Sequence, residues 1–298
     1  MIDNKTLLIE VGIEEAPSWF MESALSSLPG ILGHALERER LAFSGIRVMA
    51  TPRRIAAMVA DLAGRQSDES RQVTGPSVNI AVGDDGSFLP PAIKFAEKNG
   101  GTQKDLVTVE TAKGSYIAVN IHVEGRPAAQ IVAELVPRIF SEKVLPHRKS
   151  MKWGEAVGPF VRPVHWLLVL LDGDVVPCSL FGIASDRISR GHRFHSPGRI
   201  SVASPDEYEK KLMAANVVVD REKRAKMIRG QLLEAASAAG GVLRENPELE
   251  EEVCNLVEWP VVVTGRFDEK FLDLPPEVII TVMAKHQRYF AVNDAGGG

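Results

Sequence analysis

The sequence predicts an α+β protein built of mixed sheets and packed helices in more than one module. Three observations predict it. Short apolar runs of strand length, Leu7 to Val11 and Tyr116 to Val123 among them, alternate irregularly with segments whose apolar residues recur at helical spacing. The polar stretch Gly64 to Ser70, GRQSDES, interrupts that pattern and the chain changes texture after it, as linkers between folding units do. The chain has 298 residues, 45% of them hydrophobic, enough for one large or two ordinary cores.

Taken in order, Leu7 to Val11 is a buried strand ended by Gly12, and Ser18 caps a helix to about Leu41 that Pro29-Gly30 should kink or divide. Val48 to Ala50 leads into Thr51-Pro52, and Ile55 to Leu62 is read as strand because Pro52 biases Thr51 to extended backbone. Beyond the linker come a short helix over Pro91 to Asn99, an antiparallel pair at Leu106 to Val109 and Tyr116 to Val123, and a striped helix over Ala128 to Phe140. Ser204 caps a helix to Ala215, Val217 to Val219 is a short strand, and Asp220 caps a helix to Ala239 with Met227, Leu232, Leu233 and Ala236 as its apolar face. Glu248 to Val257 is a helix with an acidic first turn, Trp259 to Val263 a buried strand, Pro275-Pro276 the start of a helix to Lys285, and Tyr289 to Val292 a last strand. The expected modules are residues 1–64, an inserted 65–144, and a continuation of the core over 145–298.

Composition excludes several classes. Charged residues make up 25%, no apolar run nears the roughly 20 residues that span a bilayer, and the N-terminus lacks the pattern of a secretory signal, so a cytoplasmic protein without membrane attachment is expected. Cys178 and Cys254 lie in apolar surroundings without a C-x-x-C partner and read as small core residues. No phosphate-binding G-x-x-x-x-G-K-[ST] loop or strand-linked G-x-G-x-x-G is present.

The best functional lead is Pro146 to Arg199. Eight Lys or Arg stand there against four acids, in a chain of net charge -4, together with four of the seven His residues. Phosphate contact depends on local potential rather than net charge, so this stretch suits a polyanion; charge alone favours a solvated, salt-bridged surface around a buried hairpin. Arg53 and Arg54 follow a Pro that restrains the backbone, which fits either bidentate phosphate contact or pairing with the acids of Glu248 to Glu252. Trp153 and Phe194, each beside basic residues, either stack on an unpaired base or plug the core, whereas Trp166 and Trp259 read as core. Glu14-Glu15 fit acid–base work, a basic partner, or complementing a helix dipole. His192 and His195 with a cysteine fall short of a zinc site, which needs three or four converging ligands.

The wording of several stretches adds to this. LLIEVGIEEAP (Leu7 to Pro17), TPRRIA (Thr51 to Ala56), KSMKWG (Lys149 to Gly154), FVRPVHWLL (Phe160 to Leu168), SRGHRF (Ser189 to Phe194), LVEWPVVVTGRFDEKFLDLPPEVIITVM (Leu256 to Met283) and KHQRYF (Lys285 to Phe290) resemble, in this order, the β subunit of bacterial heterotetrameric glycyl-tRNA synthetase. Ala16 departs from that family's usual Leu. The resemblance covers nearly the whole chain and implies a non-catalytic, tRNA-binding and α-docking part of an α2β2 glycine–tRNA ligase, with ATP and Mg used at the α subunit. It also implies modules like those of the phenylalanyl-tRNA synthetase β subunit, and an HD-type and an anticodon-binding domain after the strand at Tyr289 to Val292, which would otherwise want a closing partner. The tRNA-binding candidates are Arg53, Arg54, Arg148, Lys149, Lys152, Arg162, Arg190, His192, Arg193, His286 and Arg288; no catalytic or metal residue is assigned. Two other functions stay open: an editing hydrolase using His192, His195 or Glu15 on mischarged tRNA, and a structural scaffold for the α subunit.

Overall fold

The computed structural model describes residues 4–141, 145, 149–154 and 157–294. The α+β class is borne out. The chain falls into two compact units, Met1–Ala63 with Ala129–Gly298, and Gly64–Ala128.

The larger unit begins with β1 (Asn4–Ile13), α1 (Ser18–Arg38), β2 (Gly45–Thr51) and β3 (Arg54–Ala63). β1 and β3 are antiparallel, with Glu10 opposite Ala56 and Gly12 opposite Arg54, and β2 lies beyond β3 with Thr51 opposite Arg54. From Leu7 on β1 is buried on both faces, which is why it reads as a near-continuous apolar run rather than an alternation. α1 buries Phe20, Ala24, Leu28, Leu32 and Leu36, an i, i+4 stripe. That stripe continues on both sides of Pro29, so the helix runs unbroken through the proline instead of dividing there. Pro17, not Ser18, occupies the N-cap.

The smaller unit holds β4 (Glu69–Ser77), α2 (Val78–Ala81), α3 (Pro90–Lys98), β5 (Leu106–Thr111) and β6 (Gly114–Val123), its sheet ordered β4-β6-β5. Ala92, Ala96, Leu106, Ile117 and Val119 form its core. β4 was not legible in the sequence: it is an edge strand, almost free of buried side chains, and its register shifts between Thr74 and Ser77. The chain enters and leaves through paired backbone, Gln66 N–H to the Arg126 carbonyl at 2.9 Å and Ala128 N–H to the Gly64 carbonyl at 2.8 Å. The unit therefore closes at Ala128, whereas the sequence reading carries the module to 144.

The larger unit resumes with α4 (Ala128–Ser141), β7 (Met151–Trp153), β8 (Val157–Phe160), β9 (Val164–Leu171), β10 (Asp174–Val175), β11 (Ser179–Leu180), β12 (Ile183–Asp186), β13 (Ile188–Arg190) and β14 (Arg199–Ser201). Then come α5 (Tyr208–Ala214), α6 (Arg221–Ala238), β15 (Gly241–Leu243), α7 (Pro247–Cys254), α8 (Pro276–Val282) and β16 (Val292–Asp294). β9 joins the other side of β1, giving a seven-stranded sheet ordered β11-β12-β9-β1-β3-β2 with β10 also on β9. Trp166 stands opposite Gly12 and Leu168 opposite Glu10. One face of this sheet, carrying Leu8, Ala56, Leu168 and Leu170, is covered by Val202, Tyr208, Leu212, Val217 and Val219.

Five expectations past β9 need correction. Val217 to Val219 is fully buried but is no strand; its Val218 N–H bonds the Glu258 carbonyl at 2.8 Å. Trp259 to Val263 is irregular and half outside, with Val261 64% and Val263 83% exposed. There Gln231 of α6 takes the place of a neighbouring strand, donating to the Pro260 carbonyl at 3.1 Å and accepting from Val262 N–H at 2.9 Å. The last strand is Val292–Asp294 rather than Tyr289 to Val292, and it pairs backward with β15, Val242 opposite Asn293. In α6 the buried stripe is Arg224, Ile228, Leu232 and Ala236, while Leu233 is 49% exposed. Asp220 does cap α6, accepting from Lys223 N–H. Ser204 makes no side-chain cap.

Candidate functional site

The site grows from the row Arg54, Gly12, Trp166 across three adjacent strands. Gly12 has no side chain, and a Cβ built on it would lie 1.9 Å from the indole carbons of Trp166. The bare position is what lets the indole lie flat over β1 and reach the arginines on the other side. Three guanidinium groups come over this one ring, Arg54 at 5.3 Å, Arg190 at 5.6 Å and Arg53 at 5.8 Å from its centroid.

Arg54 is the inner one. It is fully buried, its Nε donating to Glu258 at 3.0 Å and its Nη1 to Ser189 Oγ at 3.2 Å and the Arg190 carbonyl at 2.7 Å. Glu10, also fully buried, lies 3.7 Å from Nη1 and accepts from Ser189 Oγ and from the Trp166 indole N–H. Thr51 Oγ1 donates to Glu258 at 2.6 Å. Burial pulls the Arg54 pKa down, but Glu258 and Glu10 outweigh it and hold the guanidinium above its ordinary range. Tyr208, equally buried beside Glu10, has its phenol pushed well up by burial, so it stays neutral. Buried charges need partners, and Arg54 has them at Nε and Nη1, while its buried Nη2 has none among the described residues. Its expected role as a surface phosphate contact is therefore corrected: the residue is enclosed, and its partners are Glu258 and Glu10 rather than the acids of α7. Those acids are engaged elsewhere, Glu250 by Arg229, Glu251 by Arg221 and Glu252 by Arg288.

Arg53 and Arg190 are the outer pair. Neither has a carboxylate within ion-pair distance among the described residues, and the buried Arg53 Nε has no hydrogen-bond partner there. Burial, offset in part by Glu258 and reinforced by Arg54 and Arg193, lowers the Arg53 pKa. The neighbouring Arg193 is shared by Glu14 at 3.3 Å and Glu15 at 3.2 Å, and Glu14 also meets His165 Nε2 at 3.0 Å. Burial raises the Glu14 carboxyl, but the His165 hydrogen bond and Arg193 leave it below the ordinary range. Glu14 and Glu15 precede α1 without entering its first turn, so charge pairing, not dipole compensation, is their role here.

After Arg190 the chain makes a tight loop. A Cβ at Gly191 would stand 2.3 Å from the Ser196 carbonyl oxygen, so glycine is what permits the closure. His192 Nδ1 accepts from the backbone N–H groups of Phe194 at 3.2 Å and His195 at 3.1 Å, which fixes the ring neutral with its proton on Nε2. Burial, with repulsion from His195, Arg53 and Arg54 opposed by Glu258, lowers its pKa. The His195 ring lies 4.5 Å from that of His192, and Phe194 projects from the loop 79% exposed. Trp153 behaves otherwise: it packs edge-on to Phe181 at 5.4 Å, in a chain of rings that continues through Phe160 to Phe20.

Other sequence candidates scatter. Lys149 and Lys152 are exposed beside β7, Arg162 donates to the Val161 and Glu15 carbonyls, and Arg148 lies outside the described residues. His286 is exposed, and Arg288 pairs with Glu252 at 2.7 Å. Among the described residues no cluster of three or more His, Cys, Asp or Glu is placed to hold a metal ion, and no helix is long and apolar enough to cross a membrane. Sequence reasoning missed Glu10, Ser189 and Glu258, and also Arg224, which is fully buried and donates to the carbonyls of Ala50, Val218 and Cys254. Arg224 carried a signal, its i, i+4 spacing from Ile228 and Leu232; Glu10 carried one too, as a lone acid inside an apolar strand.

The family described as "Glycyl-tRNA synthetase beta subunit" matches residues 7–298. Similar proteins are the "Glycine--tRNA ligase beta subunit" of Syntrophotalea carbinolica, 40% identical over 98% of this chain and 42% of the relative, and that of Myxococcus xanthus, 40% identical over 98% and 41%. That of Clostridioides difficile is 37% identical over 97% of this chain and 42% of its own length. The chain thus spans about two fifths of the length of the curated relatives it matches.

Proposed function

Because the chain belongs to the glycyl-tRNA synthetase beta subunit family, we propose that it is the part of a glycine–tRNA ligase that grips tRNA(Gly) and docks to the α subunit, within an α2β2 enzyme of the cytoplasm. Its contribution is positioning: the RNA is held so that its acceptor end reaches an active site on the α subunit, where ATP and Mg would be used to activate glycine. The observation that carries the RNA-binding part is the outer pair Arg53 and Arg190, held over Trp166 without carboxylate partners among the described residues. Two guanidiniums so placed make no direct ion pair among the described residues, and a phosphate can supply one.

The buried carboxylates speak for structure rather than bond-making. Glu10 is engaged by Ser189 and Trp166, and Glu258 is paired through one oxygen with Arg54 and Thr51, both buried among structural partners. His192 has its Nδ1 committed to two backbone donors, which disfavours the editing reading. Docking is supported by the stretch 261–292, where ten large apolar side chains stand exposed, Val263, Leu272 and Tyr289 among them. Crosslinking of the assembled enzyme to its tRNA tests the proposal. Attachment at Arg53, Arg190 or Arg193 is expected; attachment confined to polypeptide outside this chain removes the RNA-binding role.

A further inference from the structure

The loop that follows Arg190 has no part in the core, yet it is built to a fixed shape. Gly191 allows its closure, Ser196 N–H returns to the His192 carbonyl at 3.0 Å, and His192 N–H is tied to the Ala215 carbonyl at 3.0 Å. With His192 Nδ1 also bonded to two backbone donors, the residues before and after Phe194 are held. The tip is nevertheless an aromatic ring with 79% of its surface in water. A flexible loop would let such a ring fold away; this one holds it out. Its surroundings are cationic: Arg190 and Arg53 are free of carboxylate partners among the described residues, and His192 feels the charge of Arg53 directly.

A ring presented by a rigid loop, in the same cluster as two guanidiniums without a direct ion pair among the described residues, matches an unpaired nucleotide, whose base has a flat apolar face and whose phosphate carries the negative charge. A protein partner would use the ring but would have to bring its own carboxylates to the two arginines, whereas one nucleotide carries both groups; a duplex would use the arginines but keeps its bases stacked out of reach. We propose that Phe194 is a stacking platform for an unpaired base of single-stranded RNA, with Arg53 and Arg190 holding the adjoining phosphate. The inference deepens the RNA-binding reading and rests on it.

The test is fluorescence anisotropy with the full chain, using a labelled single-stranded oligoribonucleotide, a duplex of the same length, and tRNA. Phe194 is exposed, so Phe194→Ala should leave folding intact. It should weaken the single strand by about fivefold or more, the scale of one lost base–aromatic stack, and leave the duplex unchanged, with Phe194→Trp restoring binding. Arg53→Ala and Arg190→Ala should weaken both RNAs and lower the salt slope by about one each. Equal single-strand affinity for wild type and Phe194→Ala overturns the inference while leaving tRNA binding standing. Loss of tRNA binding with oligonucleotide binding intact sinks the broader reading and spares this one. Unchanged RNA affinity together with weakened association to the α subunit would make Phe194 a protein contact and overturn the proposal.

Discussion

Arg54 reaches inward to two carboxylates, a hydroxyl and a carbonyl, whereas Arg53, its neighbour in the chain, comes over the same indole with no carboxylate within ion-pair distance among the described residues. The two have the same chemistry and nearly the same distance from Trp166, so composition does not separate them. Position does. Arg54 is the first residue of β3, opposite Gly12 and Thr51, and is drawn into the covered face of the sheet; Arg53 belongs to the turn before it. The difference teaches that a cationic motif holds two populations, one that builds the fold and one that the fold presents.

The largest effect should come from the inner population. Glu258→Ala leaves Arg54 buried with only Glu10 as counter-charge, and losses on breaking a buried pair run to about 3–5 kcal/mol. Urea unfolding of Glu258→Ala and Arg54→Ala should show losses on that scale; a loss of less than about 1 kcal/mol, the range of an exposed pair, would abolish the distinction. Next comes Gly12→Ala. The new methyl occupies the place of the indole, so Trp166 must move off Arg54 and Glu10, at a cost of about 1–3 kcal/mol by the measure of overpacked cores. Trp166 fluorescence should report the displaced ring, and an unchanged spectrum would mean the sheet absorbs the methyl elsewhere.

This comparison also marks how far the sequence could be read. Strand β1 was legible because a run of fully buried residues leaves an unbroken apolar signature, and the cationic stretch Pro146 to Arg199 was legible as charge. Which charges face inward was not. The partners of Arg54 lie 44 and 204 positions away on the chain, at Glu10 and Glu258, and only the register of β1 against β3 and the path of the loop after α7 bring them together. Apolar content misled in the other direction at Trp259 to Val263, where a strand-like run has no neighbouring strand among the described residues and is served by Gln231 instead.

A smaller effect should appear with pH at the loop between the two populations. His192 is neutral in the fold with its pKa below the ordinary imidazole value, while in the unfolded chain it titrates near about pH 6.5. As pH falls through that range the unfolded chain takes up the proton first, so stability is lost from about pH 6.5 down to the lower folded value and is fully present above. The facing groups are His195, Arg53 and Arg54, which oppose the proton, and Glu258, which favours it. His192→Asn keeps an acceptor for the two backbone N–H groups without titrating. Its melting temperature should fall less between pH 7 and pH 5 than that of the wild type, as read by thermal unfolding; parallel profiles would remove His192 as the source.

The smallest change in stability is expected where the functional change should be plainest. Arg53→Ala removes a guanidinium that has no carboxylate partner among the described residues and lies in the field of Arg54 and Arg193. Opposing contributions meet there: the contact over Trp166, worth roughly 0.5–1 kcal/mol at a partly exposed site, and the attraction of Glu258 and Glu14 are lost, while repulsion from Arg54 and Arg193 is relieved. The net should stay within about 0.5 kcal/mol, the range of ordinary surface substitutions. Under the proposed function the same variant should bind tRNA more weakly, with a shallower salt dependence, because one phosphate contact is gone. Stability and RNA affinity would then separate at Arg53 and move together at Arg54, whose loss disturbs the sheet that positions both. If Arg53→Ala instead unfolded the protein as readily as Arg54→Ala, the outer arginine would belong to the fold as much as the inner one, and Arg190 alone would remain to hold a phosphate over Trp166.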